Sequence, residues 1–215
     1  MDRAAAEPVA IDGRRLGRRA QVTRQRLLEA TADLLSTHGV LELKVVDVAR
    51  KVGTSPATFY QYFQNVDEAV LALAEDLAEE AHSLAGLIEE PWTGQRGLAL
   101  ARQLVDGFVD YWDRHRAVLR ARNLAAEEGD QRFRAVRVRT LSSITDPLAA
   151  KIKGLQDAGK VAPEITPYAA AGAMVAMMER MAAYHFDLEP RGLTREAMVE
   201  TVARIVFQTV TGRRA

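Results

Sequence analysis

The chain has 215 residues, 29 basic and 29 acidic side chains, no cysteine, and 48% hydrophobic residues. These values suit a globular protein of one or two domains, and they exclude a disulfide framework and any thiolate metal site. Met1 to Ala20 contains no apolar run of the kind a secretory signal needs, and the most apolar stretch, Ala169 to Met178, is about half the length of a membrane span, so a soluble cytoplasmic protein is expected.

The zero net charge hides an uneven spread. Residues 13–51 carry nine basic side chains (Arg14, Arg15, Arg18, Arg19, Arg24, Arg26, Lys44, Arg50 and Lys51) against four acids, Glu29, Asp33, Glu42 and Asp47. A basic segment on a neutral chain points to a polyanion at that segment, with a merely solvated charged face as the plain alternative.

Helical periodicity recurs from end to end, and no stretch sustains the period-two alternation of a strand, so the predicted class is all-α. A first helix over about 19–38 aligns Leu27, Leu28, Thr31, Leu34 and Leu35 on one face, with Gly39 placed to end it. A second, about 45–52, gathers Val45, Val48, Ala49 and Val52 and stops at Gly53. Ser55 can cap a third, with Pro56 in its first turn. Asn65 and Glu68 form a capping box for a fourth that runs to about Ile88. Further helices are predicted at about 95–115, 117–128, 130–158, 167–186 and 194–211, with Pro147 expected to kink or break the long one and Thr194 to cap the last.

Three short helices with a tight turn after the second describe a helix-turn-helix, whose last helix can enter a major groove. That helix lies in TSPATFYQYF, residues 54–63. At about 100° per residue, Phe59, Phe63 and Pro56 share the side expected to be buried. Ala57, Thr58 and Gln61 fall opposite, and Tyr60 and Tyr62 flank the buried ridge. A shoulder tyrosine can point its hydroxyl at a phosphate, and Thr58 can donate to one. Gln61 can read adenine edges, and Ala57 allows close approach or contact with a thymine methyl. The plain alternative is a surface helix whose tyrosines snorkel.

The stretch VVDVARKVGTSPATFYQYFQNVDEAVLAL, residues 45–73, closely resembles the DNA-binding signature of the tetracycline-repressor (TetR) family. The match includes Asp47-Val48-Ala49, Gly53, Ser55, Thr58, Tyr60, Tyr62-Phe63 and the acidic start of the fourth helix, and it spans roughly residues 20–75. The remainder fits the family in length and helix count. Arg116 to Ala126 and Met178 to Phe186 are loosely similar to actinobacterial members with apolar ligand tunnels. Two positions depart from the pattern. Lys44 stands where threonine usually caps the second helix, a loss of about 1 kcal/mol, and Val66 replaces a lysine that touches phosphate. Lys44 is a candidate for restoring that contact.

The resemblance implies a basic arm over residues 1–18, a helix-turn-helix domain over 19–65, and a helical effector-binding and dimerisation domain over 66–215. It maps Thr58, Tyr60 and Tyr62 onto phosphate contacts, Pro56, Ala57 and Gln61 onto base-facing positions, and Val46 onto an occasional base reader. Ser55 and Lys44 belong to the same DNA-binding set, and Arg18 and Arg19 of the arm are candidates for phosphate or minor-groove contacts. A dimer on a near-palindromic operator is the implied design, paired through the last two helices, with Ala170, Ala173, Met181, Val202, Ile205 and Val206 as interface candidates. A small hydrophobic or amphipathic effector is implied as well, with Leu104, Phe108, Tyr111, Trp112, Leu119, Asn123, Met174, Met177, Met178 and Tyr184 as candidate ligand contacts. The implied function is a one-component regulator, in the family's usual mode a repressor. The alternative is a DNA-binding dimer without an effector.

An enzyme is not expected. The one Glu-x-x-His pair of a di-iron helix, Glu79-Glu80-Ala81-His82, has no second pair, and no phosphate loop, nucleophile elbow or zinc signature occurs. No cofactor or metal is expected.

Overall fold

The structure, a computed structural model, describes residues 15–39 and 42–212. Arg14 and the rest of the predicted arm before Arg15 lie outside them. Among the described residues all regular structure is helical: α1 (Arg18–His38), α2 (Val45–Val52), α3 (Pro56–Phe59), α4 (Val66–His82), α5 (Ala85–Glu89), α6 (Gly94–Glu127), α7 (Gln131–Asp157), α8 (Pro167–Tyr184) and α9 (Arg195–Thr211), with two short 3-10 turns, His185–Asp187 and Glu189–Arg191. No described helix is long and apolar enough to cross a membrane.

The chain divides into two compact units. The first takes the described part of Met1–Asp76 together with Ala117–Arg134, and the second takes Leu77–Arg116 with the described part of Ala135–Ala215. In the first, α1 packs on α2 and α2 on α3. It buries Leu27, Leu28 and Leu35 from α1, Val48 and Ala49 from α2, then Phe59, Phe63, Val70, Leu119 and Phe133. Residues 117–134 are therefore part of the unit that holds the helix-turn-helix. There Arg132 donates to both carboxylate oxygens of Asp130, and those hydrogen bonds hold the Asp130 carboxyl at about 2.

In the second unit α8 packs on α9. Its buried side chains include Phe108 and Trp112 of α6, Ile144 and Leu148 of α7, Met174 and Met178 of α8, and Val202 and Val206 of α9. Ion pairs tie the helices together. Arg102 of α6 forks onto Glu200 of α9, which also accepts from Arg204, and these hydrogen bonds hold Glu200 at about 2. Arg195, at the start of α9, reaches Asp106 and Asp110.

Four sequence expectations are corrected. The two helices expected over 95–115 and 117–128 are one, α6, which runs unbroken from Gly94 to Glu127. Pro147, expected to kink or break the long helix, lies inside α7 without breaking it. A helix-interior proline costs about 3 kcal/mol, and burial of Ile144, Leu148 and Ile152 around it, at about 1.5–3 kcal/mol each, offsets that. The fourth helix stops at His82 rather than near Ile88: the Ser83 hydroxyl donates to the Glu80 carbonyl at 2.7 Å and diverts the chain into a turn before α5. Regular α-helix in the third segment ends at Phe59, followed by turns through Tyr60 to Tyr62.

Candidate nucleic-acid interface

The turn is built by backbone chemistry. Gly53 adopts the left-handed conformation, φ 73° and ψ 38°, which side-chain-bearing residues rarely take. Its N–H donates to the Arg50 carbonyl at 3.1 Å, and the Thr54 N–H donates to Ala49 at 2.9 Å. This paired closure ends α2 and redirects the chain within two residues. Ser55 then caps α3, its hydroxyl oxygen accepting from the Thr58 N–H at 3.2 Å, with Pro56 in the first turn. α2 starts without such help: Lys44 makes no side-chain cap, as its identity implies. At the far end Asn65 accepts from the Glu68 N–H at 2.9 Å, while the Glu68 carboxylate reaches back to the N–H of Gln64, one residue before the capping residue.

Phe59 and Phe63 are buried, with ring centroids 5.5 Å apart. The Phe63 N–H still donates to the Phe59 carbonyl at 3.1 Å, so helical spacing persists across the turns and keeps both rings on the inner side. Pro56 departs from the wheel. It is exposed, because a first-turn residue at the end of a four-residue helix has no packed neighbour to close over it. It joins Ser55, Ala57, Tyr60 and Gln61 in an exposed row, with Thr58 and Tyr62 half-buried beside it. Tyr60 is 52% exposed, and its ring meets that of Phe59 edge-on at 6.0 Å. The Thr58 hydroxyl lies 3.1 Å from that of Ser55. On α2, Val46 is 42% exposed and Lys44 is open to solvent. Arg18 and Arg19, placed at the junction of arm and first helix, are both in the first turn of α1 and exposed.

Such a surface presents a helix N-terminus, hydroxyls, an amide and two phenols over a rigid aromatic base, and side chains of these kinds contact phosphates and base edges. Residues 27–73 match the family model for bacterial regulatory proteins of the tetR family, and residues 84–215 match that for tetracyclin repressor-like C-terminal domains. The chain belongs to the TetR family.

The C-terminal part, expected to fit the family in length and helix count, is thus matched by a family model as well. Over 93% of its length the chain is similar to the HTH-type transcriptional regulator EthR of Mycolicibacterium smegmatis, at 28% identity over 204 residues that cover 92% of that protein. EthR of Mycobacterium tuberculosis is 27% identical over 216 residues, covering 97% of each chain. Among solved structures, the fatty acid degradation regulator FadR from Bacillus halodurans shares the fold, with a TM-score of 0.65 at 14% identity over 92% of this chain and 97% of that one. So does SmeT, the repressor of the Stenotrophomonas maltophilia multidrug efflux pump SmeDEF, with a TM-score of 0.59 at 14% identity over 90% of each. This TetR-family member is a helix-turn-helix transcriptional regulator, of a family whose members are regulators rather than enzymes.

The other candidates divide as follows. Leu104, Phe108, Tyr111, Trp112, Met174 and Met178 are buried residues of the second unit, and Met177 there is half-buried. Tyr184 faces outward, with the Arg180 guanidinium 4.0 Å from its ring centroid. Leu119 and Asn123 belong to the first unit. Of the interface candidates, Ala173 and Ile205 are exposed and Ala170 and Met181 half-exposed, whereas Val202 and Val206 are enclosed within their own chain.

Glu80 lies between Glu79 and His82, the Glu-x-x-His pair of the sequence. It accepts from His115 Nε2 at 2.8 Å and from Arg114, both on α6. Among the described residues no three His, Asp or Glu side chains gather as metal ligands. Glu179 pairs with Arg137 at 2.6 Å, and His185 Nε2 lies 2.9 Å from a carboxylate oxygen of Asp113, so both side chains have polar partners within the second unit.

Proposed function

We propose that this TetR-family regulator is a cytoplasmic repressor that binds a near-palindromic duplex as a homodimer and leaves it when a small hydrophobic or amphipathic molecule binds the C-terminal part. In this reading residues 19–65 read DNA, residues 66–215 pair the subunits and take the effector, and the basic arm 1–18 adds backbone contacts. The observation that carries it is the exposed row Ser55, Pro56, Ala57, Tyr60 and Gln61 mounted on buried Phe59 and Phe63.

Pairing is supported by an outward stripe on α8, Ala169, Ala173, Ala176, Arg180 and Tyr184, at helical spacing of four, three, four and four. Beside it α9 turns out Ala197, Thr201 and Ile205. Small side chains let two helices approach closely, and one three-helix head grips a short half-site weakly. The effector reading is supported by Met174 and Met178, buried in the same unit as Phe108 and Trp112, since unbranched thioethers repack around varied apolar shapes. SmeT, which shares the fold, is named as a repressor, and repression is the reading adopted.

Selection from a random duplex pool with the full chain should return one half-site twice, in inverted order, with centres about 10 base pairs or a multiple apart. Light scattering should give twice the chain mass. A clean monomer at micromolar concentration, or a pool without enrichment, would defeat the proposal. Apolar and amphipathic compounds that raise the melting temperature should release the selected duplex, and a screen in which nothing alters DNA affinity would favour the effector-free alternative.

Gln61→Ala should relax preference at one base pair, by about 1–3 kcal/mol, and leave random-sequence binding nearly unchanged. Tyr60→Phe should weaken binding to all sequences together, since it removes a phosphate donor. Fluorescence anisotropy on matched and substituted duplexes separates the two, and equal losses on specific and random DNA for Gln61→Ala would refute base reading by that side chain.

A further inference from the structure

Two of the basic side chains that make residues 13–51 read as a polyanion footprint are turned onto the helix-turn-helix itself. Arg26 of α1 donates from Nη2 to the carbonyl of Val52 at 3.1 Å. Val52 is the last residue of α2, where carbonyls lack intrahelical donors. The neighbouring Gly53 and Thr54 N–H groups are directed to Arg50 and Ala49. Arg26 therefore pins the residue at which α2 gives way to the turn. Arg24, also on α1, lies with its guanidinium carbon 5.3 Å from the Phe63 ring centroid, at the exit of the recognition segment. Its charge also acts on the Asp76 carboxyl of α4, partly offsetting the rise that burial imposes there.

A guanidinium over a ring face is a directional contact, attracted by the negative face of the ring. Phe63 and Phe59 together carry the turns that present Tyr60, Gln61 and Tyr62. One arginine thus holds the chain where it enters the turn and the other where it leaves the recognition segment. We propose that Arg24 and Arg26 are positioning residues for DNA reading: they set how α3 and the turns after it are presented, and they do not neutralise phosphates. The proposal rests on the reading that residues 55–62 contact DNA.

The two roles separate by salt. A lost phosphate contact weakens all duplexes alike and lowers the slope of log K against log salt by about 0.9. A lost positioning contact weakens the matched duplex selectively and leaves the slope in place. The probes are a duplex enriched from a random pool by the wild-type full chain and a random-sequence duplex of equal length. Arg24→Ala and Arg26→Ala are expected to lower affinity for the selected duplex about three- to tenfold, with less than about a twofold change on the random duplex and an unchanged slope. Arg26→Gln keeps an N–H donor without the charge and should retain most of the affinity. Arg24→Lys keeps the charge without the planar fork, and should show the selective loss even if the alanine variant fails to fold.

Equal losses on both duplexes with a lowered slope, or variants indistinguishable from wild type, would overturn the assignment. A wild-type chain that does not prefer the selected duplex would instead overturn the DNA-reading segment on which it rests.

Discussion

Phe59→Ala is expected to abolish sequence-specific DNA binding without touching a DNA-facing atom. Phe59 is fully buried and stands at the end of α3, with the rings of Phe63 and Tyr60 at 5.5 and 6.0 Å. Phenylalanine-to-alanine changes in cores cost about 3–5 kcal/mol, part of it lost transfer energy and part the cavity left behind. A four-residue helix has little stability of its own, since a single helical turn is unfavourable without tertiary packing. The loss should therefore fall on the recognition segment first. Circular dichroism should show a melting temperature lower by on the order of 10 °C, and anisotropy with the selected duplex should show a loss of at least about 100-fold. A variant that melts within a degree or two of wild type would mean that Phe59 does not carry the segment.

In the proposed homodimer, Ala176→Arg is expected to separate the subunits while leaving each chain folded. Ala176 is exposed on α8, in the outward stripe with Ala173 and Arg180, so a larger side chain there points to solvent in the single chain. Across a close helix–helix contact the same side chain has no room, and it sets a charge where apolar surface is to be buried. Light scattering should report the chain mass alone, with the melting curve of the isolated chain retained. Two linked heads gain roughly 10²–10⁴ in avidity over one, so operator affinity should fall by about 100-fold or more. A variant that remains a dimer with wild-type DNA affinity would place the interface elsewhere.

The helix-turn-helix is legible in sequence because each of its devices is local. Gly53 ends α2, Ser55 caps α3, Asn65 caps α4, and Phe59 and Phe63 fall one helical turn apart, all within fifteen residues. Backbone chemistry of this kind depends on neighbours in the chain, which the sequence states directly. The α8 and α9 face is less legible. Both helices are rich in apolar residues, and burial against one's own chain and against a partner calls for the same residue types. Val202 and Val206 therefore look like interface from sequence, yet they lie in their own core, while Ala197, Thr201 and Ile205 turn outward. The arginines are ambiguous for a related reason. A long flexible cation suits a phosphate, a carbonyl and an aromatic face alike, and only the folded structure shows that Arg26 ends on Val52 and Arg24 on Phe63.

By itself the sequence determined the helical class, the ends of α1 and α2, the capped turn and the split of TSPATFYQYF into buried phenylalanines and displayed polar side chains. These follow from propensity, capping and a 3.6-residue period, which act over one or two turns of chain. Tertiary structure decided that α6 runs unbroken from Gly94 to Glu127, that α7 continues through Pro147, that Glu80 pairs with His115 of α6, and that residues 117–134 join the unit that holds the helix-turn-helix. Each of those depends on surface buried between segments distant in sequence, where a few kilocalories of packing outweigh a local preference of similar size.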